Sequence, residues 1–374
     1  MSALAAIIPA AGFSSRMGDF KPLLPLGDGT VLSRCVDVFR RNGVEQVIVV
    51  TGRRSDEVTE AAHQAGVVAV HNADFEQGMY SSVLTGVRAL GDDISAFFML
   101  PVDIPLVRSE TVSRLVDDFE QASPSILYPC FMGERGHPPL ISRSLIPAIV
   151  NHDGTGGLRT VLDQNETGAR DLDVADFGTV HDLDYPADYT LAKSLVDSPY
   201  PNHEECCQLW EMYSVPLNIV RHCQAVSRVA EALCQQLNCL RNGDCLDAAL
   251  VRGAALTHDI GKGTKRHEIV GAERLHAHGF HVAADIALEH FDLLLPSEEP
   301  ITEKEVVFLA DKLVCGEKPV PLKVRYMNKI EQYRHEPGVE QAILGRLERA
   351  TDIMARFDRE MGVSTEQLAQ EVLA

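Results

Sequence analysis

Two groups of residues in this chain have the types and spacing for phosphate chemistry. In the first, an apolar run from Leu4 to Ile8 stops at a loop of small residues, Ala10, Ala11, Gly12, Ser14, Ser15 and Gly18. Small side chains let the backbone approach a ligand, and successive N–H groups in such a loop form a nest for anions. Arg16 and Lys21 bring positive charge to this point of a chain whose net charge is −20. Such a loop suits a nucleotide's phosphates, although its spacing is neither G-x-x-x-x-G-K-[ST] nor G-x-G-x-x-G. Asp103 follows the apolar run Phe97 to Leu100 directly and is a hard oxygen ligand of the kind Mg²⁺ prefers. It also reads as an N-cap for a helix starting near Ser109. Nucleotidyl transfer would need these parts: phosphates clamped, a divalent cation between their oxygens, and an acceptor aimed at the α-phosphorus.

The second group lies on inward-facing positions of apolar helices. His222 precedes Val226 by four residues, on the stripe of Val226, Val229, Ala230, Leu233 and Leu237. His258 follows Ala254 and Ala255, with Asp259 adjacent; Asp311 lies between Val307 and Val314; His290 follows Val282 and Ile286. A lone inward histidine is usually a hydrogen-bonded core residue, and an inward carboxylate usually meets an arginine or a backbone N–H. Inward imidazoles and carboxylates on several helices together need a common partner, because an unpaired buried charge is expensive. A metal ion satisfies all of them, and mixed nitrogen and oxygen ligation suits Mn²⁺, Fe, Co²⁺ or Zn²⁺.

The elements that must position these groups fall into two halves. Apolar runs at 4–8, 47–50, 67–70 and 97–100 alternate with helical segments near 31–42, 54–65 and 80–90. That alternation predicts an α/β fold, a doubly wound, mostly parallel sheet with helices on both faces and ligands at the carboxyl ends of the strands. From 197 to 210 the periodicity lapses around Pro199 and Pro201, which places a linker there. Beyond it the pattern is all helical, so the domains expected are 1–196 and 211–374. Cys206 and Cys207, beside His203, fall in that linker and read as solvated loop. Near the chain's end Ile343, Leu347, Ala350, Met354 and Met361 mark packing helices.

The first half is similar to the MobA-like nucleotidyltransferases, the family of the molybdenum-cofactor cytidylyl- and guanylyltransferases. The likeness spans residues 3 to 192 and is carried by the small-residue loop, Lys21-Pro22, PVDIPLV and DLDYPADY. It implies that Asp184 supplies a second carboxylate to Mg²⁺, although Asp184 also reads as a turn former before Pro186. It further implies that Asn72, Gly78, Met79 and Ser82 line the base and sugar. Gly136, His137 and Pro138, with Gly156, Gly157 and Arg159, would face the acceptor; Arg159 also reads as the partner of a surface carboxylate. Where relatives have Gly-Asp-Gln-Pro this chain has Val102-Asp103-Ile104-Pro105, which keeps the carboxylate and stiffens the turn. Ala10-Ala11-Gly12 resembles the cytidylyl branch, so CTP is the implied donor and molybdopterin the implied acceptor, with a molybdoenzyme-maturation partner. A sugar, polyol or choline phosphate is the alternative acceptor.

The second half, over about 214 to 330, resembles the HD superfamily of metal-dependent phosphohydrolases through LTHDIGKG and FLADKL. The resemblance implies His222, His258, Asp259 and Asp311 as metal ligands and Lys262 as the cation that holds a substrate phosphate. His267 and His290 would serve a second metal, or orient substrate beside a single one. A helical domain that senses a nucleotide without hydrolysing it is the rival reading.

Composition narrows the rest. Net charge −20 without a basic patch argues against nucleic-acid or membrane binding. Nine cysteines without a C-x-x-C pair argue for reduced thiols and a cytoplasmic setting. The apolar run before Pro9 is far short of the ~20 residues of a membrane span.

Overall fold

A computed structural model of the chain describes residues 3–13, 16–243, 245–294, 300–335 and 338–374. Ser14 and Ser15, expected in the phosphate loop, lie outside the described residues. The chain divides into two compact units, Met1–Ser198 and Pro199–Ala374.

In the first unit the strand Leu4–Pro9 sits in the middle of the sheet, and its two faces serve two different cores. Ala6 and Ile8 pack with Val31, Leu32, Phe39, Val112 and Leu115, whereas Ala5 and Ile7 pack with Tyr80, Val83, Val87 and Ile149. Period-two alternation with both faces apolar is what a strand covered by helices on each side requires. The strand order is Ala169–Asp173, Ile126–Phe131, Leu140–Ser142, Ala96–Met99, Leu4–Pro9, Gln46–Thr51 and Val68–His71. Only Leu140–Ser142 runs antiparallel to its neighbours along that path. The fold is thus the expected doubly wound, mostly parallel α/β sheet.

The register brings the carboxyl ends of three strands to one edge. Ile7 pairs with Ile48 and with Met99, so the strands end at Pro9, Thr51 and Met99 along one edge, staggered by a few residues. The pairing persists past the strands, with Leu100 donating to Ile7 O and Val102 to Pro9 O. Ala10, Asp103 and their loops therefore emerge side by side.

The second unit is helical, with the long helix Leu217–Leu240 packed against Ala248–Thr257, Glu303–Lys312 and Thr365–Leu373. Val226, Val229, Ala230, Leu233 and Leu237 are all buried, as are Val251, Ala254 and Ala255. Three details depart from the sequence reading. The stretch read as linker holds a helix, His203–Met212, started by reciprocal bonds between Asn202 and Glu205. Cys206 is fully buried there with Leu209 and Trp210, rather than in a solvated loop, and Cys207 is half-buried. Its buried set includes Glu205 and Gln208, so no purely apolar stripe announces the helix. Val282 is exposed, and Ala283, Ala284, Ile286 and Ala287 form the buried face of helix His281–Glu289. On Val339–Met361, Ile353 and Phe357 take inward places, while Leu347 and Met354 lie half-buried at its flank. No helix among the described residues is long and apolar enough to cross a membrane.

Candidate functional site

At the sheet edge, Lys21 is the centre of a charge cluster. It opens the short 3₁₀ turn Lys21–Leu23, is 8% exposed, and its Nζ lies 3.3 Å from Asp103 Oδ2 and 3.1 Å from Asp184 Oδ1. Arg16 reaches the other Asp184 oxygen at 2.8 Å while most of its side chain stays in solvent. Gly18, at φ +82°, holds the left-handed backbone that turns the chain from Arg16 back toward Lys21. The two carboxylate segments are tied together by the Leu183 N–H, which donates to Asp103 O. Asp103 does not cap the helix Ser109–Ala122; Asp176 serves that end by accepting from the Arg108 N–H and the Thr111 hydroxyl.

Asp182, absent from the expected site, stands beside this cluster. Partial desolvation, with Asp184 and Asp103 nearby, holds its carboxyl above the usual carboxylate range. The first aspartate of DLDYP was its only sequence signal. His137 is half-buried, with Nδ1 3.3 Å from Met99 O. Burial lowers its pKa, against the pull of Asp103 and Asp182.

The remaining expected residues spread along neighbouring segments. Asn72 is buried and donates to Ser81 Oγ and Ser82 Oγ, while its own oxygen accepts from the Asp74 N–H. Asn72 and Ser82 therefore shape the turn that leads to Gly78 and Met79. Gly78, at φ 99° and ψ −178°, adopts a backbone nearly closed to other residues, and Met79 starts the helix Met79–Arg88 with its side chain exposed. Gly156 precedes the helix Gly157–Gln164, on which Arg159 is exposed and lies 3.8 Å from Asp163. No described ion pair or hydrogen bond joins Arg159 to the Lys21 cluster.

In the helical unit residues from five helices or their ends converge. His258 and His290 each close a helix, after Ala248–Thr257 and His281–Glu289, in the parallel sequences Ala255-Leu-Thr-His258 and Ala287-Leu-Glu-His290. In both, Nδ1 faces the carbonyl three residues back, at 2.8 Å and 2.5 Å. A carbonyl only accepts, so in the neutral His258 imidazole Nδ1 carries the proton and Nε2 is left with its lone pair facing inward. Among the described residues His258 Nε2 is buried without any hydrogen-bond partner, and burial holds the imidazole down to about 4, hence neutral. A basic nitrogen so placed, beside two carboxylates, fits a cation as its partner.

The carboxylates complete the arrangement. Asp259 Oδ2 lies 3.9 Å from His258 Nε2, and its Oδ1 lies 3.3 Å from both His267 Nε2 and His290 Nε2. Asp311 Oδ1 is 3.1 Å from His222 Nε2 and 3.8 Å from His258 Nε2. Ligand atoms of His222, His258 and Asp259 fall within 4.8 Å of one another, as do those of Asp259, His267 and His290. Burial opposes ionisation of Asp259 but is outweighed by hydrogen bonds from His267 and His290, so its carboxyl lies well below the usual range. Burial likewise opposes Asp311, which Lys312, Arg325 and His222 pull down. Lys312 and Arg325, 2.7 Å and 3.1 Å from that carboxylate, were not expected; the lysine directly after Asp311 was the available hint. Lys262 extends half-exposed at the rim, 3.0 Å from Asp259 Oδ2.

These two geometries agree with what the chain is similar to. Residues 6–169 match the family model of the MobA-like NTP transferase domain, and residues 219–314 that of the HD domain. The molybdenum cofactor cytidylyltransferase of Escherichia coli (strain K12) is 29% identical over 197 residues, 52% of this chain and 97% of that protein. The purine catabolism protein PucB of Bacillus subtilis (strain 168) is 28% identical over 207 residues, 51% of this chain and 96% of that protein. Among solved structures, Rv0371c from Mycobacterium tuberculosis H37Rv is 25% identical with a TM-score of 0.46, covering 52% of this chain and 98% of its own. The chain thus carries a MobA-like NTP transferase domain over residues 6–169 followed by an HD domain over residues 219–314.

Proposed function

We propose that the chain is a bifunctional enzyme: its first unit transfers a cytidylyl group from CTP to molybdopterin with release of pyrophosphate, and its second hydrolyses a phosphate ester. The observation that carries the first activity is Lys21 held between Asp103 and Asp184 at the carboxyl edge of the sheet. Two carboxylates and two cations in that arrangement suit a metal–triphosphate complex. Asp103 and Asp184 would hold Mg²⁺, which when bound neutralises charge on the phosphate oxygens. Lys21 and Arg16 would bind the phosphates that leave as pyrophosphate, and the loop N–H groups of Ala11 and Gly12 would approach them closely, the Ala10 N–H being engaged by Val50 O. His137 would face the acceptor. The choice of CTP and molybdopterin draws on the cytidylyltransferase relative and on the Ala10-Ala11-Gly12 loop.

For the second activity the carrying observation is the lone pair of buried His258 Nε2, left without a partner beside two carboxylates. His222, His258, Asp259 and Asp311 would hold one ion, and Asp259, His267 and His290 a second, with Mn²⁺, Fe, Co²⁺ or Zn²⁺ matching the donor set. Such an ion supplies Lewis acidity at a phosphate oxygen. Lys262 would hold the phosphate at the rim and offset charge that develops on it. Neutral His258 and ionised Asp259 and Asp311 are the protonation states that ligation demands.

Pyrophosphate release by the full chain, measured with each NTP and molybdopterin, tests the first assignment; CTP should be the preferred donor, and absence of turnover with molybdopterin refutes it. Phosphate release from a panel of phosphomonoesters and nucleotides with Mn²⁺ tests the second, and no hydrolysis of any would leave the helical unit a sensor.

A further inference from the structure

Beside the HD ligands the helices Leu322–Tyr333 and Val339–Met361 enclose a cavity of about 250 Å³, lined among others by Phe291, Lys312, Tyr326, Lys329, Tyr333 and Arg346. It shares a wall with the candidate metal centre. Phe291 directly follows His290, and Lys312 directly follows Asp311. The Lys312 ammonium donates to the His290 carbonyl and to Asp311 Oδ2, both at 2.7 Å, and the Phe291 ring meets His267 edge-on.

The cavity is cationic and aromatic at once. Neither Lys329 nor Arg346 has a carboxylate within ion-pair distance among the described residues; each lies instead against a ring. Lys329 Nζ is 5.9 Å from the centroid of Tyr326, and Arg346 Cζ is 4.8 Å from that of Phe291. Burial first, then Arg325 and Lys312 nearby, against the opposing pull of Asp311, holds the Lys329 ammonium down to about 8. Whole drug-sized ligands take roughly 300–1,000 Å³, so a cavity of this size holds one end of a ligand whose remainder lies elsewhere. Tyr326, Lys329, Tyr333 and Arg346 all lie beyond residue 314, where the HD match ends. Phe291 and Lys312 lie within that match, so the cavity joins its edge to the helices that follow.

We propose that this cavity receives the leaving-group end of the hydrolase's substrate, and that this end carries a second phosphate beside an aromatic ring, as in a nucleoside bisphosphate. The proposal rests on the hydrolase reading of the adjacent centre. Lys329 and Arg346 meet the second phosphate, and Tyr326 and Phe291 the ring. At the scissile phosphate, water supplies the oxygen that bonds to phosphorus as the ester P–O bond breaks, and a proton passes to the leaving alcohol.

The test compares adenosine 3′,5′-bisphosphate with AMP on the full chain. Calorimetric titration in EDTA should show the bisphosphate binding about tenfold tighter or more, as two charge-assisted contacts in a desolvated cavity require. Lys329→Met with Arg346→Met should remove that preference while leaving Mn²⁺ stoichiometry and the melting temperature at wild-type values. Equal affinities, or a preference that survives in the double variant, overturn the proposal. With Mn²⁺ present, kcat/KM for phosphate release should show the same preference. A chain that binds the bisphosphate through Lys329 and Arg346 yet releases phosphate from no ester upholds the cavity's ligand and overturns the hydrolase reading instead.

Discussion

Asp311 and Asp259 are both buried carboxylates in one centre, yet their loss should have different consequences, because different groups face them. Asp311 neutralises two cations that lie inside the protein with it: side-chain exposures are 6% for Asp311, 5% for Lys312 and 14% for Arg325. Asp311→Ala leaves both unpaired. The guanidinium cannot shed its proton, and breaking a buried pair in this way costs about 3–5 kcal/mol. Asp259 faces the imidazoles of His258, His267 and His290 rather than a buried permanent cation, and Lys262, whose side chain is 42% exposed and free to turn to water. Its removal sacrifices hydrogen bonds worth about 1–3 kcal/mol without stranding a charge.

In a unit of this length each kcal/mol moves the melting temperature by roughly 2–4 °C, so Asp311→Ala should lower it by about 6–20 °C, roughly twice the effect of Asp259→Ala. Both variants should fail to bind Mn²⁺, so activity would not separate them. Scanning calorimetry of the metal-free full chain does, following the transition that added Mn²⁺ raises in the wild type. An Asp311→Ala transition within about 2 °C of wild type, or the larger loss in Asp259→Ala, would refute the assignment of Asp311 as the counter-charge of Lys312 and Arg325.

Three further outcomes follow from the geometry. Lys21→Met should cut pyrophosphate release by about 10²–10³-fold, since it removes a buried donor aimed at the phosphates; wild-type rates in a stopped-time assay would deny it that role. His258→Ala combined with Asp259→Ala should abolish metal binding in the second unit, read as metal per chain by elemental analysis after gel filtration, while CTP-dependent transfer in the first unit continues. Trp210→Ala should destabilise the second unit by about 3–5 kcal/mol in urea unfolding, because the indole sits in a core with Cys206, Cys223 and Leu256 and donates to Leu256 O. A solvated linker residue would cost less than about 0.5 kcal/mol, and that smaller value would argue against helix His203–Met212 as part of the folded unit.

Much of this molecule is written in local pattern. Burial of both faces of Leu4–Pro9 follows from its continuous apolar run, since neighbouring side chains of a strand point to opposite faces. The inward placing of His222, His258 and Asp311 follows in the same way from helical spacing to buried alanines and valines. Those positions depend on backbone geometry within one or two turns, so no knowledge of the rest of the chain is needed. The loop after Ile8 and the carboxylate after Leu100 were legible for the related reason that parallel strands deliver their carboxyl ends to one edge.

What the linear pattern could not supply was partnership between distant segments. Lys21 lies between Asp103 and Asp184 only because the turn after Met99 and the segment before Pro186 are laced together by a backbone bond. Asp182 joins them, Asn72 is spent on its own turn, and Arg325 reaches Asp311 from a different helix. The cavity around Lys329 and Arg346 exists because two late helices close over His290 and Asp311. Residue types and their spacing set which atoms can hold a cation or a phosphate. Long-range folding alone decides which of them meet and which charges go unpaired, because electrostatic contacts extend a few ångströms in space whatever the separation along the chain.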